Sequence, residues 1–223
     1  MGGKNMRLAT GERHDVTRVE AFSDGVFAIA ITLLVLNIHI PTTEEVGPNG
    51  LAAALLSQWP VYLAYLSSFI TILIMWMGHH NLFRYIIRVD YTFLVLNGLF
   101  LLGVTLVPVP TAILARFVES PQADSALSAA LYSGMFFYLA TLFNVMWIYA
   151  SSGSRLVEGY ELPRAAKLRY AVGPLLYLIS LGLAFVSVRL SLAIYLILLL
   201  YYAWPTSYMR PKVTPPASEA LAD

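Results

Sequence analysis

The chain has no cysteine, which excludes disulfides, thiolate metal sites and cysteine nucleophiles together. Charge is scarce as well. Only 12% of the 223 residues are Asp, Glu, Lys or Arg, where a water-soluble domain carries about a quarter. Apolar residues make up 58% and the mean hydropathy is +0.69, a balance that does not suit a water-facing surface. The four histidines are His14, His39, His79 and His80, and the adjacent pair lacks the H-E-x-x-H spacing of a zinc hydrolase. Neither a resident metal nor a cofactor is expected, and an enzyme is not the reading. No run of arginines at every third position is present to sense voltage. Lys and Arg form no basic stripe, so nucleic acid is not an expected partner.

What the chain does contain is a series of apolar runs, each about 20 residues long, the length a helix needs to cross a bilayer core of ~30 Å. They fall at roughly 18–40, 57–79, 91–112, 127–150, 168–188 and 190–207. This predicts an all-α integral membrane protein of six transmembrane helices over 18–207. A polar cytoplasmic segment, 1–17, precedes it and a Pro-rich disordered tail, 208–223, follows. Pro108 and Pro110 should break or kink the third span before the Arg116–Asp124 loop. The fifth and sixth spans are joined by so little chain, Ser187–Ser191, that they form a tight hairpin or a re-entrant pair.

Orientation follows from the basic residues. Twelve of the 14 Lys and Arg lie in the N-terminal segment, after spans two and four, and in the tail; only Arg116 and Arg189 lie on the other side. The positive-inside rule then places both termini in the cytoplasm, and the plasma membrane is the expected location. Trp59, Tyr62 and Tyr65 at one face, and Tyr201, Tyr202 and Trp204 at the other, suit interfacial belts or serve as apolar filler.

Ionisable groups inside a span need a partner or a pathway, so Asp24 must be accounted for. It lies six residues past Arg18, about 9 Å into the first helix. Span two brings Trp76, His79 and His80 back to that side, and span three leaves it with Asn97. One reading is a polar clasp, in which the Asp24 carboxylate accepts from an imidazole, an amide and an indole. The other is a proton relay through Asp24 and His79, as in a proton-coupled secondary transporter or a proton channel. At about 100° per residue, Ile29, Leu33 and Leu36 share one stripe of helix one, with Thr32 beside them and Phe22 and Arg18 continuing it. Asp24 and Ser23 lie about 140° and 120° away from Ile29, on opposite sides of it. Neither can face what Ile29 faces.

The stretch from Arg18 to Leu36 resembles the R-x-x-x-F-S-D motif of the lysosomal potassium-channel family, transmembrane protein 175, through Arg18, Phe22, Ser23 and Asp24. W-x-x-H-x-x-L-F at Trp76, His79, Leu82 and Phe83 agrees in order, as does Asn97 followed by P-x-P-T at Pro108, Pro110 and Thr111. The resemblance implies a potassium-type cation channel without a bound cofactor, built as a homotetramer in which helix one of each subunit lines a central pore. It implies that Ile29, Thr32, Leu33 and Leu36 are the pore-lining positions and that the ordinary potassium filter is missing; no T-V-G-Y-G stretch occurs. The expected partners are three further copies of the chain, membrane lipid and monovalent cations. Asn37 departs from the pattern, since relatives often carry an acidic residue there. A transporter would show two related halves, and no second F-S-D follows residue 113.

Overall fold

The computed structural model describes the backbone over residues 2–151, 156–157 and 164–203, with side-chain surroundings over 14–151, 156–157, 171–198 and 200–202. Among these residues the regular elements are helical, apart from one antiparallel bridge between Ile86 and Val157. Helix α1 (Gly2–Leu33) passes into a 3-10 segment (Leu34–Asn37). It is followed by α2 (Thr43–Val46), α3 (Gly50–Leu56), α4 (Trp59–Phe83), α5 (Tyr91–Leu106), α6 (Pro108–Phe117), α7 (Gln122–Ser151), α8 (Arg164–Ala184) and α9 (Val188–Ala203).

Local chemistry sets these boundaries. Asp90 caps α5 by accepting from the Phe93 amide at 2.8 Å, which satisfies one of the donors a helix start leaves free. At the other end, Pro108 and Pro110 have no N–H to offer the carbonyls four residues before them, so α5 stops at Leu106. Pro108 then occupies the first position of α6, where a proline is tolerated. The break therefore falls inside the third apolar run. The helix resumes through Arg116, which the sequence reading had placed in a loop. Between the first two runs, 38–58, the structure places α2 and α3, which the apolar pattern does not announce; α2 starts on a Thr42/Glu45 capping box.

Among the described residues, four helical stretches are long and apolar enough to cross a membrane: His14–Asn37, Trp59–Phe83, Tyr91–Phe117 and Gln122–Ser151. The chain is a multi-pass membrane protein. Two shorter apolar stretches, Ala171–Ala184 and Val188–Tyr202, occupy the places of the fifth and sixth expected spans and are joined over 185–187. Residues 204–223, with Trp204, the end of the sixth expected span and the predicted tail, lie outside the described residues.

Helix α7 is the hub, packed on α5, α6, α8 and α9. Its approach to α5 depends on Gly103, where a Cβ would stand 2.6 Å from the Tyr138 ring and 2.7 Å from Leu139. The core between them is aromatic, with Phe93, Phe100, Tyr132 and Phe136 fully buried. Helix α1 sits at the margin, resting on α4 and α5, and its remaining side is left uncovered by the other described elements.

Candidate functional site

The polar residues of α1, α4 and α5 meet at one depth, in two separate chains. In the first, the Trp76 indole donates to Asp24 Oδ1 at 2.8 Å. In the second, Ser23 Oγ donates to its own helix at the Val19 carbonyl, and Asn97 Nδ2 donates to Ser23 Oγ at 3.0 Å. The Asn97 carbonyl thereby faces His79 Nε2 at 2.9 Å, which fixes the ring as the Nε2–H tautomer. Asp24 thus accepts from the indole, while the imidazole and the amide bond to each other. This corrects the expectation of three donors on one carboxylate. The reason is azimuthal: Ser23 and Asp24, one residue apart, point about 100° from each other, so α5 can reach only Ser23 and α4 reaches both flanks.

His79 is buried and sits among Phe27, Phe83 and Phe100, the last stacked on it at 5.8 Å with the planes 5° apart. Its Nδ1 meets no polar atom. A relay from Asp24 to His79 has no direct hydrogen bond in this arrangement. Closer to the helix end, His80 Nδ1 is hydrogen-bonded to Glu20 at 3.0 Å and its ring stacks on Trp76, a pairing the sequence does not announce. The i, i+4 spacing of Glu20 with Asp24, and of Trp76 with His80, could have pointed to it.

The opposite side of α1 is a different surface. Val16, Ser23, Phe27, Ala30 and Leu34 are buried, whereas Phe22, Ile29 and Leu36 are 68%, 59% and 75% exposed. Arg18, Thr32 and Leu33 share that open side. Thr32 donates its hydroxyl to the Ile29 carbonyl at 2.8 Å, which leaves the oxygen lone pairs directed outward. Beside Phe22, a cavity of about 630 Å³ opens between α1 and α5. Its lining includes the charged residues Asp15, Arg18 and Asp90 and the apolar Leu94, Gly98 and Leu101.

At the far end of α1, Asn37 Nδ2 donates to the Pro108 carbonyl at 3.2 Å and ties the 3-10 segment to the start of α6. Beyond it, His39 Nε2 and Glu45 Oε2 stand 2.8 Å apart on the exposed connecting segment. The His39 hydrogen bond, with that of the Thr42 amide, holds the Glu45 carboxyl below its ordinary range.

A sequence profile of the family described as endosomal/lysosomal potassium channel TMEM175 matches residues 18–108, the stretch that contains α1 from Arg18 onward, both polar chains and Pro108. A potassium channel of Chamaesiphon minutus is 46% identical over 196 residues, which is 86% of this chain and 95% of that protein. The chain belongs to the TMEM175 family. A potassium channel of Streptomyces collinus is 45% identical over 208 residues, covering 92% of this chain and 97% of its own length. The crystal structure of a lysosomal potassium-selective channel TMEM175 homologue from Chamaesiphon minutus matches with a TM-score of 0.76 at 45% identity, over 85% of this chain and 97% of that one. The family read from the three motifs is the right one, and TMEM175 is a family of channels, not of enzymes.

One further feature of this chain is not legible in the sequence. A second polar layer lies toward the Asn37 end, where Ser68 Oγ is 2.8 Å from Thr111 Oγ1 and 2.9 Å from the Tyr132 hydroxyl, and Ser133, Ser180 and Ser191 link α7, α8 and α9. Scattered hydroxyls carry little sequence signal. Only their equal depth, about ten residues in from the helix ends at Trp59 and Gln122, could have marked Ser68 and Tyr132 as neighbours.

Proposed function

We propose that this chain is the subunit of a homotetrameric potassium-type cation channel of the plasma membrane, conducting passively along a fourfold axis lined by helix α1. Each subunit crosses the bilayer six times, with α8 and α9 as the last two crossings, and keeps both termini in the cytoplasm. Ile29, Leu33 and Leu36 form the apolar constriction, and Thr32 adds a ring of hydroxyl oxygens beside it. Ser23, Asp24, Trp76, His79 and Asn97 hold α1 in register against α4 and α5, while Arg18 and Phe22 of the same motif continue its open side.

The observation that carries this reading is the two-sidedness of α1. From Phe22 to Leu36 its polar side chains Ser23 and Asp24 bond inside the subunit, and its exposed side is an apolar stripe with one hydroxyl that no other described element covers. An apolar ring of that kind closes by dewetting and needs no selectivity loop. Relatives that match almost end to end are named potassium channels, which supports potassium as the conducted ion.

The absence of cysteine makes the test direct. Ile29→Cys and Leu36→Cys should each render the current sensitive to a small thiol-reactive cation, while Leu175→Cys, on the outward side of α8, should not. Equal insensitivity of all three would remove α1 from the ion pathway.

A further inference from the structure

The turn between α8 and α9 stops short of the ends of its neighbours. Ser133 of α7 is hydrogen-bonded to Ser180 of α8, which is bonded in turn to Ser191 of α9, so the three hydroxyls mark one level. From that level α7 runs about 16 Å to its start at Gln122, whereas α8 ends about 6 Å away at Ala184 and α9 begins about 4 Å away at Val188. Helix α4 agrees with α7. Ser68 bonds to Tyr132, the neighbour of Ser133, and lies about 13 Å from the helix start at Trp59. The turn over 185–187 is therefore recessed by about 8 Å from the ends of α4 and α7, and stands level with the exposed Leu63 and Leu127.

The turn suits an apolar layer. Phe185, Val186 and Leu190 are exposed. The amides of Phe185, Val186 and Ser187 donate to the Gly182 and Leu183 carbonyls, the Leu190 amide to Ser187 Oγ and the Ser191 amide to the Ser187 carbonyl, so these donors are satisfied without water. One residue stands apart. Arg189 is exposed on the first turn of α9 and has no hydrogen bond or ion pair with another described residue. A guanidinium at the level of exposed leucines is costly unless it reaches an anion.

We infer that the leaflet at the Trp59 end of the spans dips over the α8–α9 turn, and that Arg189 holds the phosphate of a phospholipid drawn into the recess. This is the outer leaflet in the orientation proposed above, and the inference rests on that reading for the choice of leaflet alone. A bilayer thins locally where a hydrophobic segment is short, and a long basic side chain lays its stem on apolar surface while its head seeks the headgroups. The acyl chains of the same lipid cover Phe185, Val186 and Leu190. Lipid is the occupant rather than a second copy of the chain, because the hairpin packs on α4 and α7 and not on α1, around which the copies gather. A free phosphate ion would leave the apolar turn uncovered, whereas a lipid matches both the cation and the apolar surface beside it.

Two measurements on the full chain test this. In vesicles of phosphatidylcholine and phosphatidylglycerol, nitroxide labels are placed singly on Val186→Cys and Gln122→Cys, the protein having no cysteine of its own. The Val186 label should respond to dissolved oxygen and hardly to a water-soluble nickel chelate, and the Gln122 label the reverse. Equal response of both labels to the chelate would put the turn at the water surface and overturn the recess. Native mass spectrometry in detergent then counts retained phosphatidylglycerol. Arg189→Gln should weaken retention about tenfold, and Arg189→Lys should keep most of it. Arg116→Gln, the same loss of charge at the exposed end of α6, should leave retention unchanged. Equal effects of Arg189→Gln and Arg116→Gln, or displacement of the lipid by inorganic phosphate, would overturn the lipid site. Neither measurement reads ion flux, so a failure of the channel reading would show elsewhere and leave both results standing.

Discussion

Asn97 is the residue on which the most partners depend. It donates to Ser23 and accepts from His79, both fully buried, so truncation strands two polar groups in a medium without water. Asn97→Ala should therefore cost about 1–3 kcal/mol of stability, read as a lower midpoint of thermal unfolding in detergent. An unchanged midpoint would mean that water enters this depth. Asp90 works at the membrane boundary. Burial pushes its carboxyl up, and the bonds from Tyr149 and the Phe93 amide, with the nearby Arg88 charge, outweigh that and leave it below the ordinary value of 3.8. A lowered folded value contributes stability above the ordinary carboxyl range that is lost as pH falls through the folded one. Stability should decline in acid below about that ordinary value, and Asp90→Asn, which keeps a capping oxygen, should abolish this part of the decline. Asp90→Ala should lose the cap at neutral pH as well, about 1 kcal/mol.

At the level of the element, α1 carries the functional argument. Ile29→Asn would place donors and acceptors in the apolar ring, hold water there and raise resting conductance while loosening ion preference. Thr32→Ala should leave conductance present and alter mainly the potassium-to-sodium ratio, since it removes an outward oxygen without widening the ring at Ile29. Single-channel recording of both variants decides, and an Ile29→Asn protein with unaltered current would take this stripe out of the pathway. The stripe itself was legible in the sequence because helical periodicity alone separates Ile29 and Leu36 from Ser23 and Asp24. How the polar groups pair was not legible, because depth says which residues can meet and only azimuth says which do. For the same reason the Ser68–Thr111–Tyr132 layer stayed hidden: hydroxyls satisfied by their own helix, as Thr111 is by the Val107 carbonyl, leave no mark on hydropathy. The α5–α6 break was foreseeable from Pro108, but its position within the run was not, since proline is as acceptable at a helix start as it is disruptive inside one.

For the whole molecule, hydropathy captured the four long spans expected to alternate in direction, because a bilayer demands length and apolar character of each one independently. The contacts are consistent with that alternating course: α1, α4 and α5 meet at one end through Asp24, Trp76, His79 and Asn97, and α4, α6 and α7 meet toward the other through Ser68, Thr111 and Tyr132. What no single-chain pattern specifies is the partner of an open face, since lipid and another subunit both accept Leu and Ile. The central claim is that four such subunits surround a potassium-conducting axis. It is tested most directly by the reversal potential of purified protein in a planar bilayer, with potassium on one side and sodium on the other. The account predicts a reversal potential displaced toward the potassium equilibrium value and insensitive to a pH gradient. Reversal at the proton equilibrium potential, or no current at all, would contradict it.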